Sequence, residues 1–276
     1  MARPGYLSAT RHPWSCVTFV LPLVVAYEAG LYWLSADEPD SLRNGADSWL
    51  RSGLGHMGLA EAFWAPALLV GVLLSWSLVR RKDRPSDYMS VWLGMAVESV
   101  LFAVGLWAIS RCVWPVLDGL GFRPEPAVVM PVDALNTANR DAGDSERSVA
   151  GTPRGDDPTA VVSSPDPALE KVVSFIGAGV YEETLFRLLL FSFLAYGLRF
   201  VDVPWMFASL LAAVVSALAF AAAHNLGPEG EPFDNYVFAF RTLAGVYFAL
   251  LYRCRGFGIA VGTHTGYDVL VGLLAP

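Results

Sequence analysis

The sequence predicts an all-α fold, a polytopic bundle of about seven transmembrane helices, within a range of roughly six to eight, with one long polar loop. Two observations predict this class. Of the 276 residues, 54% are hydrophobic and 16% are charged, and the mean hydropathy of +0.45 is well above that of a soluble domain. Apolar runs of about 20 residues, the length that crosses a bilayer as a helix, also recur along most of the chain.

Residues 1–114 are predicted to hold the first three membrane helices. The first apolar run contains Pro22 and Glu28, and no small-residue cleavage site follows it, so it predicts a retained helix rather than a signal peptide. The segment from Ser35 to Glu61 is polar and acidic, which predicts a connection outside the bilayer. The three apolar runs are Trp14–Leu34, Phe63–Val79 and Met89–Ile109.

Residues 115–167 are predicted to be a polar, disordered loop. This stretch is rich in Pro, Asp, Ser, Thr and Gly and has no apolar periodicity, so it cannot bury enough apolar surface to offset the entropy of ordering it. Residues 168–276 are then predicted to form a membrane domain that carries the candidate chemistry. Its apolar runs are Ala168–Phe200, Pro204–His224, Tyr236–Tyr252 and Phe257–Ala275.

The distribution of charge predicts the orientation and excludes some functions. Arginine and lysine cluster at alternate ends of the apolar runs, and by the positive-inside rule this predicts a cytoplasmic N-terminus. The expected location is the inner membrane of a bacterial-type cell. A net charge of −7 argues against a nucleic-acid partner. The three cysteines have no metal-binding spacing and predict no disulfide framework.

The stretch from Tyr181 to Arg187 places two carboxylates and an arginine inside a predicted membrane helix. A charged side chain at bilayer depth costs a few kcal/mol, so such groups face the interior of the bundle and mark function. Glu183 and Arg187 are four residues apart, which places them on one helix face where they can pair. Glu182 points about 100° away and has no local partner, which suits a general base. Alternatively, all three residues are structural.

Three more polar residues lie in the following apolar runs. His224 ends a stripe of small residues that lets helices approach closely. His264 and Asp268 are four residues apart, so the carboxylate can hold the imidazole in one tautomer and orientation. Arg241 requires a partner within the bundle, and the candidates are Glu98, Glu182, Glu183 and Asp268.

Together these residues form three motifs on three helices, Glu182-Glu183-x-x-x-Arg187, Phe220-x-x-x-His224 and His264-x-x-x-Asp268. The combination resembles the CPBP or ABI family of intramembrane proteases, which includes type II CAAX prenyl endopeptidases and bacteriocin-processing enzymes. The resemblance covers about Ala168 to Pro276. Any one motif is weak, whereas all three in this order are specific.

The resemblance implies an intramembrane endopeptidase that cleaves a membrane-bound protein or peptide, in CAAX-type or bacteriocin and self-immunity processing. It implies that Glu182 activates water and that His224 and His264 bind this water or stabilise the oxyanion. Glu183 and Arg187 would hold the helix geometry, and Asp268 occupies a position where asparagine is frequent. Zinc or another divalent cation, bound by Glu182, His224 and His264, is a second way to activate the water.

A second function class stays open at this point. The same charged and polar side chains could form a buried network in a protein without catalysis, such as an immunity factor, a scaffold or a proton-coupled carrier. The two hypotheses differ in geometry. A hydrolase requires that the carboxylate and the imidazoles meet around a space that holds water.

Overall fold

The computed structural model describes residues 5–34, 43–59, 63–81, 85, 87–121, 166–227 and 230–274. Every regular element in these ranges is a helix, so the predicted all-α class is confirmed. Most of the predicted polar loop, 115–167, lies outside the described residues. The helices are α1 (Tyr6–Thr10), α2 (Pro13–Leu34), α3 (Gly45–His56), α4 (Trp64–Val79), α5 (Tyr88–Gly119), α6 (Pro167–Glu183), a π-helical segment (Thr184–Phe191), α7 (Ser192–Phe200), α8 (Trp205–Ala223), α9 (Asn235–Arg255) and α10 (Phe257–Leu274).

Several of these helices have the length and hydropathy of membrane spans. Within the described residues, four helices, namely α2, α5, α8 and α9, are long and apolar enough to cross a membrane, and α4 is a shorter apolar helix. Each of the seven predicted apolar runs falls on helix. The fold is therefore that of a polytopic membrane bundle.

Helix α5 continues past the end that its hydropathy predicts. The apolar run ends at Ile109 and the polar loop was expected from Pro115, yet the helix extends to Gly119 with Pro115 inside it. A proline inside a helix removes one backbone donor and crowds the carbonyl of the preceding turn. Packing of the buried Leu117 beyond Pro115 helps to offset this cost.

Helix α10 is the central helix, in contact with α2, α5, α6 and α9. Small residues allow these close contacts. At Gly262, an added Cβ would lie 2.5 Å from Ser99 Oγ and 2.9 Å from the ring of Phe19. Only hydrogen fits at such a position, so the glycines of α10 let α2 and α5 approach its backbone.

The helix between Pro167 and Phe200 is continuous, but its middle part is π-helical. The segment from Thr184 to Phe191 begins directly after the paired glutamates and contains Arg187. Ser192 donates a hydrogen bond of 3.3 Å to the carbonyl oxygen of Arg187. Short π-helical segments are rare overall, but those that do occur within α-helices often lie at functional sites. The apolar spacing of the sequence did not indicate this one.

Helix α3 lies in the segment that was expected to be only a polar connection. Asn44 caps it by accepting a hydrogen bond of 2.9 Å from the backbone N–H of Asp47. Asp47 itself is fully buried. Its carboxylate accepts hydrogen bonds from Arg43 Nη1 at 2.9 Å, Arg51 Nε at 2.6 Å and the Tyr27 hydroxyl at 3.0 Å.

This ion-pair network joins α3 to the helices that carry the polar motifs. Arg51 Nη2 donates to Glu28 Oε1 at 2.8 Å, and the Tyr181 hydroxyl donates to the same oxygen at 2.5 Å. Tyr181 directly precedes Glu182 in the sequence. The acidic and basic residues of the polar segment thus hold α3 against α2 and α6.

Replacing Asp47 by asparagine is expected to release α3. The variant leaves Arg43 and Arg51 without the carboxylate that they share. A hydrogen bond to a charged group contributes about 1.5–3 kcal/mol to stability. Because about 1.4 kcal/mol is a factor of ten in an equilibrium, tryptic cleavage after Arg51 should become at least about tenfold faster. Limited proteolysis followed by mass spectrometry measures this rate.

Asp166→Asn is the matched control for this experiment. Asp166 caps α6 through the backbone N–H of Ala168 at 2.9 Å, and asparagine caps a helix about as well as aspartate. This variant should leave cleavage after Arg51 unchanged. Equal cleavage rates in Asp47→Asn and wild type would contradict the anchoring role of Asp47.

Candidate active site

The three motifs meet at one place in the bundle. Glu182 from α6, His224 at the end of α8 and His264 from α10 converge there. Glu182 Oε2 lies 3.7 Å from His264 Nε2 and 4.0 Å from His224 Nε2. The side chains of Glu182 and His224 are 14% and 23% exposed, so both are reachable by solvent in a mostly buried setting.

His264 is oriented by Glu183. Its Nδ1 lies 2.8 Å from Glu183 Oε1, and since a carboxylate oxygen accepts, Nδ1 carries the proton and Nε2 faces Glu182. Asp268 was expected to hold this imidazole, but its Oδ2 lies 3.5 Å from Nε2, beside Glu182. The carboxylate that orients His264 therefore belongs to Glu183 of α6 and not to a residue of α10 itself, because the two helices pack against each other.

Arg187 is a fully buried cation beside Glu183. Its Nη1 lies 3.2 Å from Glu183 Oε1, as the spacing predicts, and its Nη2 donates to the carbonyl oxygen of Gly245 at 3.2 Å. The guanidinium carbon lies 4.5 Å from the ring centre of Phe220 and 5.4 Å from that of Phe248. Aromatic faces and one carboxylate therefore compensate the buried charge.

Two phenylalanine residues also position the two imidazoles, one through its backbone and one through its ring. The His224 Nδ1–H donates to the carbonyl oxygen of Phe220 at 2.9 Å, which directs Nε2 toward Glu182. His264 stacks on Phe248, with ring centres 4.5 Å apart. Phe220 belongs to a motif, but nothing in the sequence distinguishes Phe248 among 16 phenylalanines.

A cavity of about 720 Å³ opens beside these groups. Glu182, Phe186 and His224 form one wall of it. The opposite wall is formed by α3, a helix that the sequence did not link to the site. The residues of α3 that line the cavity are Gly45, Ala46, Ser48, Trp49 and Ser52.

Arg241 pairs with a residue that was not among its four predicted partners. Its Nη2 lies 2.9 Å from each carboxylate oxygen of Glu231, which also lines the cavity. The hydrogen bond from Arg241 lowers the pKa of Glu231 below its ordinary value. The prediction that Arg241 pairs with Glu98, Glu182, Glu183 or Asp268 is therefore wrong. Glu98, for example, pairs with Arg255.

The described residues also bear on metal binding. Among them, no group of three or more His, Cys, Asp or Glu side chains is arranged to hold a metal ion. A cation held by Glu182, His224 and His264 therefore stays a prediction. In the structure these three residues form a carboxylate that faces two imidazole nitrogens across a gap.

A close contact between α6 and α10 sets the width of this gap. An added Cβ at Gly179 would clash with Thr265 Oγ1 and lie 2.8 Å from the Thr265 backbone nitrogen. Gly179 precedes the two glutamates by about one turn, and Thr265 follows His264. A side chain here would push the carboxylates away from the imidazole.

Gly179→Ala is therefore expected to lower both the free energy of unfolding and the activity. Overpacking of a well-packed contact costs about 1–3 kcal/mol. Denaturant titration and an activity assay measure the two effects. Gly197→Ala is the control, because a Cβ added at Gly197 would meet no neighbouring atom within 4 Å, and it should be neutral or slightly stabilising. Equal behaviour of the two variants would contradict this role of Gly179.

Fold and site together define a class of protein. It is an integral membrane helical bundle with acid and imidazole side chains gathered beside an open cavity.

Residues 164–270 match the family described as Type II CAAX prenyl endopeptidase Rce1-like. The resemblance predicted from the three motifs is thereby confirmed over this segment, which contains all of them. That family is one of membrane-embedded, CAAX-type endopeptidases. No curated protein and no solved structure matches the chain.

Proposed function

We propose that this protein is an intramembrane endopeptidase in which Glu182 activates a water molecule for attack on a peptide bond. One observation carries the proposal. Glu182 Oε2 faces His264 Nε2 at 3.7 Å and His224 Nε2 at 4.0 Å, next to a cavity of about 720 Å³. The family match over residues 164–270 supports the same reaction class.

The separations of these atoms suit a bridging water. At 3.7 and 4.0 Å the carboxylate oxygen is too far from either Nε2 for a direct hydrogen bond. An oxygen atom placed about 2.8 Å from each partner fits in such a gap. The same position can hold the oxygen of a substrate carbonyl as it becomes negatively charged.

The reaction follows from these positions. Glu182 takes a proton from the water, and the resulting hydroxide attacks the carbonyl carbon of the scissile bond. When Nε2 of an imidazole carries a proton, it donates a hydrogen bond to the oxyanion. Glu182 then returns its proton to the leaving amine as the carbon–nitrogen bond breaks.

The remaining polar residues position the reacting groups. Glu183 keeps Nδ1 of His264 protonated, so that Nε2 points at the reaction centre. Arg187 balances the charge of Glu183 and ties it to the carbonyl oxygen of Gly245 on α9. Asp268, 3.5 Å from the same Nε2, adds negative charge that stabilises a protonated His264.

The cavity indicates how the substrate approaches. It opens between α3 and the end of α8, so a peptide reaches Glu182 from that end of the bundle. We propose a membrane-anchored protein or peptide as substrate, processed in the CAAX manner or as a bacteriocin-type precursor.

A comparison of membrane proteomes tests the function. Membranes of cells that produce the wild-type protein should contain truncated proteins or released peptides that are absent from cells with Glu182→Ala. Identical peptide sets, with both proteins present in equal amounts, would remove the endopeptidase proposal and favour the non-catalytic network. A parallel assay with a chelator separates water activation by Glu182 alone from a reaction that also requires a divalent cation.

A further inference from the structure

A second cavity, of about 620 Å³, lies at the other end of the bundle. Its walls come from the start of α2, the end of α4, the π-helical segment, α7 and the end of α9. Trp205 of α8 lines this cavity, whereas His224 at the opposite end of α8 lines the first one. A helix of this length separates the two by about 28 Å, so the second cavity is distinct from the candidate active site.

This cavity is positively charged. Arg11, Arg80 and Arg253 line it, and no Asp or Glu is among the described residues of its lining. The guanidinium of Arg253 lies 5.2 Å from the ring centre of Trp205, which holds it at the rim. The planar fork of an arginine matches the oxygens of a phosphate group.

The rest of the lining is apolar and reaches the outer surface of the bundle. Val72 of α4 and Leu189 of the π-helical segment are 48% and 45% exposed, and both line the cavity. Trp76 and Tyr196, which are 40% and 64% exposed, stand beside them. Aromatic side chains of this kind concentrate at the level of lipid headgroups. The cavity thus presents cations at one side and an acyl-chain surface at the other.

We propose that this cavity binds one anionic phospholipid, with its phosphate on Arg11 and Arg253 and its acyl chains along Val72 and Leu189. Its volume falls in the range of about 300–1,000 Å³ that ligand pockets occupy. Basic pockets between membrane helices bind acidic headgroups in the same way. The bound lipid also contacts Ser192, whose hydroxyl is hydrogen-bonded to the Tyr252 hydroxyl at 2.8 Å and to the Arg187 carbonyl.

Native mass spectrometry of the full chain in detergent micelles tests the proposal. The protein is titrated with dioleoylphosphatidylglycerol or with dioleoylphosphatidylcholine, and one anionic lipid should bind saturably in preference to the neutral lipid. R11Q/R253Q should bind the anionic lipid at least about tenfold more weakly. R81Q/R199Q removes two arginines that lie outside the lining and should bind as tightly as wild type.

A second variant separates the lipid from other anions. Val72→Trp keeps every arginine and fills the apolar part of the cavity, so it should also lose at least about tenfold in affinity. Wild-type lipid affinity in Val72→Trp, combined with displacement by inorganic phosphate, would identify a free-anion site and overturn the proposal. Equal losses in R11Q/R253Q and R81Q/R199Q, or equal binding of the two lipids, would overturn it as well.

Discussion

Glu182→Gln is expected to lower kcat for peptide-bond hydrolysis by about 10²- to 10⁴-fold, the range that a general base contributes. Glutamine has nearly the volume of glutamate and fits the same wall of the cavity, but it cannot accept a proton from water. The Michaelis constant should change little, because the cavity keeps its shape. Initial rates on a substrate peptide, measured with the protein reconstituted in lipid vesicles, give both parameters.

The matched control for this variant is Glu170→Gln. Glu170 lies in the first turn of the same helix, about 18 Å along its axis from Glu182, and it does not line the cavity. The same change of charge there should leave kcat within about twofold of wild type, an effect far below that of removing a general base. A Glu182→Gln variant as active as this control would show that another group activates the water.

Much of the site could be predicted because helix geometry is local. Spacings of four residues place Glu183 with Arg187 and His264 with Asp268 on single helix faces. A low-dielectric surrounding requires such groups to face one another inside the bundle. The three motifs therefore had to meet if the chain folds as a bundle, and they do.

The pairing of individual atoms could not be predicted in this way. Which carboxylate holds Nδ1 of His264 depends on how α6 packs against α10, and that packing is set by Gly179 against Thr265. The stacking of Phe248 on His264 likewise depends on the position of α9. Tertiary packing of this kind leaves no periodic signal in the sequence.

The partner of Arg241 and the role of α3 were missed for a different reason. Both involve polar segments, in which hydropathy gives no information. The chain after α8 folds back, with the Glu231 N–H donating to the His224 carbonyl at 2.9 Å, and this turn brings Glu231 to Arg241. The buried Asp47 similarly directs α3 onto the bundle. Hydrogen bonds in these segments complete the cavity.

Arg187→Met is expected to reduce the free energy of unfolding by about 3–5 kcal/mol, the effect of leaving one partner of a buried ion pair alone. Methionine fits among the rings of Phe220 and Phe248, so the loss arises from charge rather than from a cavity. Glu183 then remains as a buried carboxylate whose only cationic or donor contact among the described residues is His264. Denaturant titration in detergent micelles measures the change.

Adding Glu183→Gln to this variant tests the physical reason for the loss. The second change removes the uncompensated charge, while the amide oxygen still accepts from His264 Nδ1. The double variant should therefore regain at least half of the lost free energy, a coupling that independent sites do not show.

Arg241→Met is the control for Arg187→Met, because it breaks an ion pair whose Glu231 side chain is 56% exposed. Because water can solvate the Glu231 carboxylate, Arg241→Met should lower the free energy of unfolding by no more than about 1 kcal/mol. Equal losses in Arg187→Met and Arg241→Met, or a double variant no more stable than Arg187→Met, would contradict a coupled buried pair. The larger loss at Arg187 follows because no solvent reaches Glu183 to replace the lost arginine.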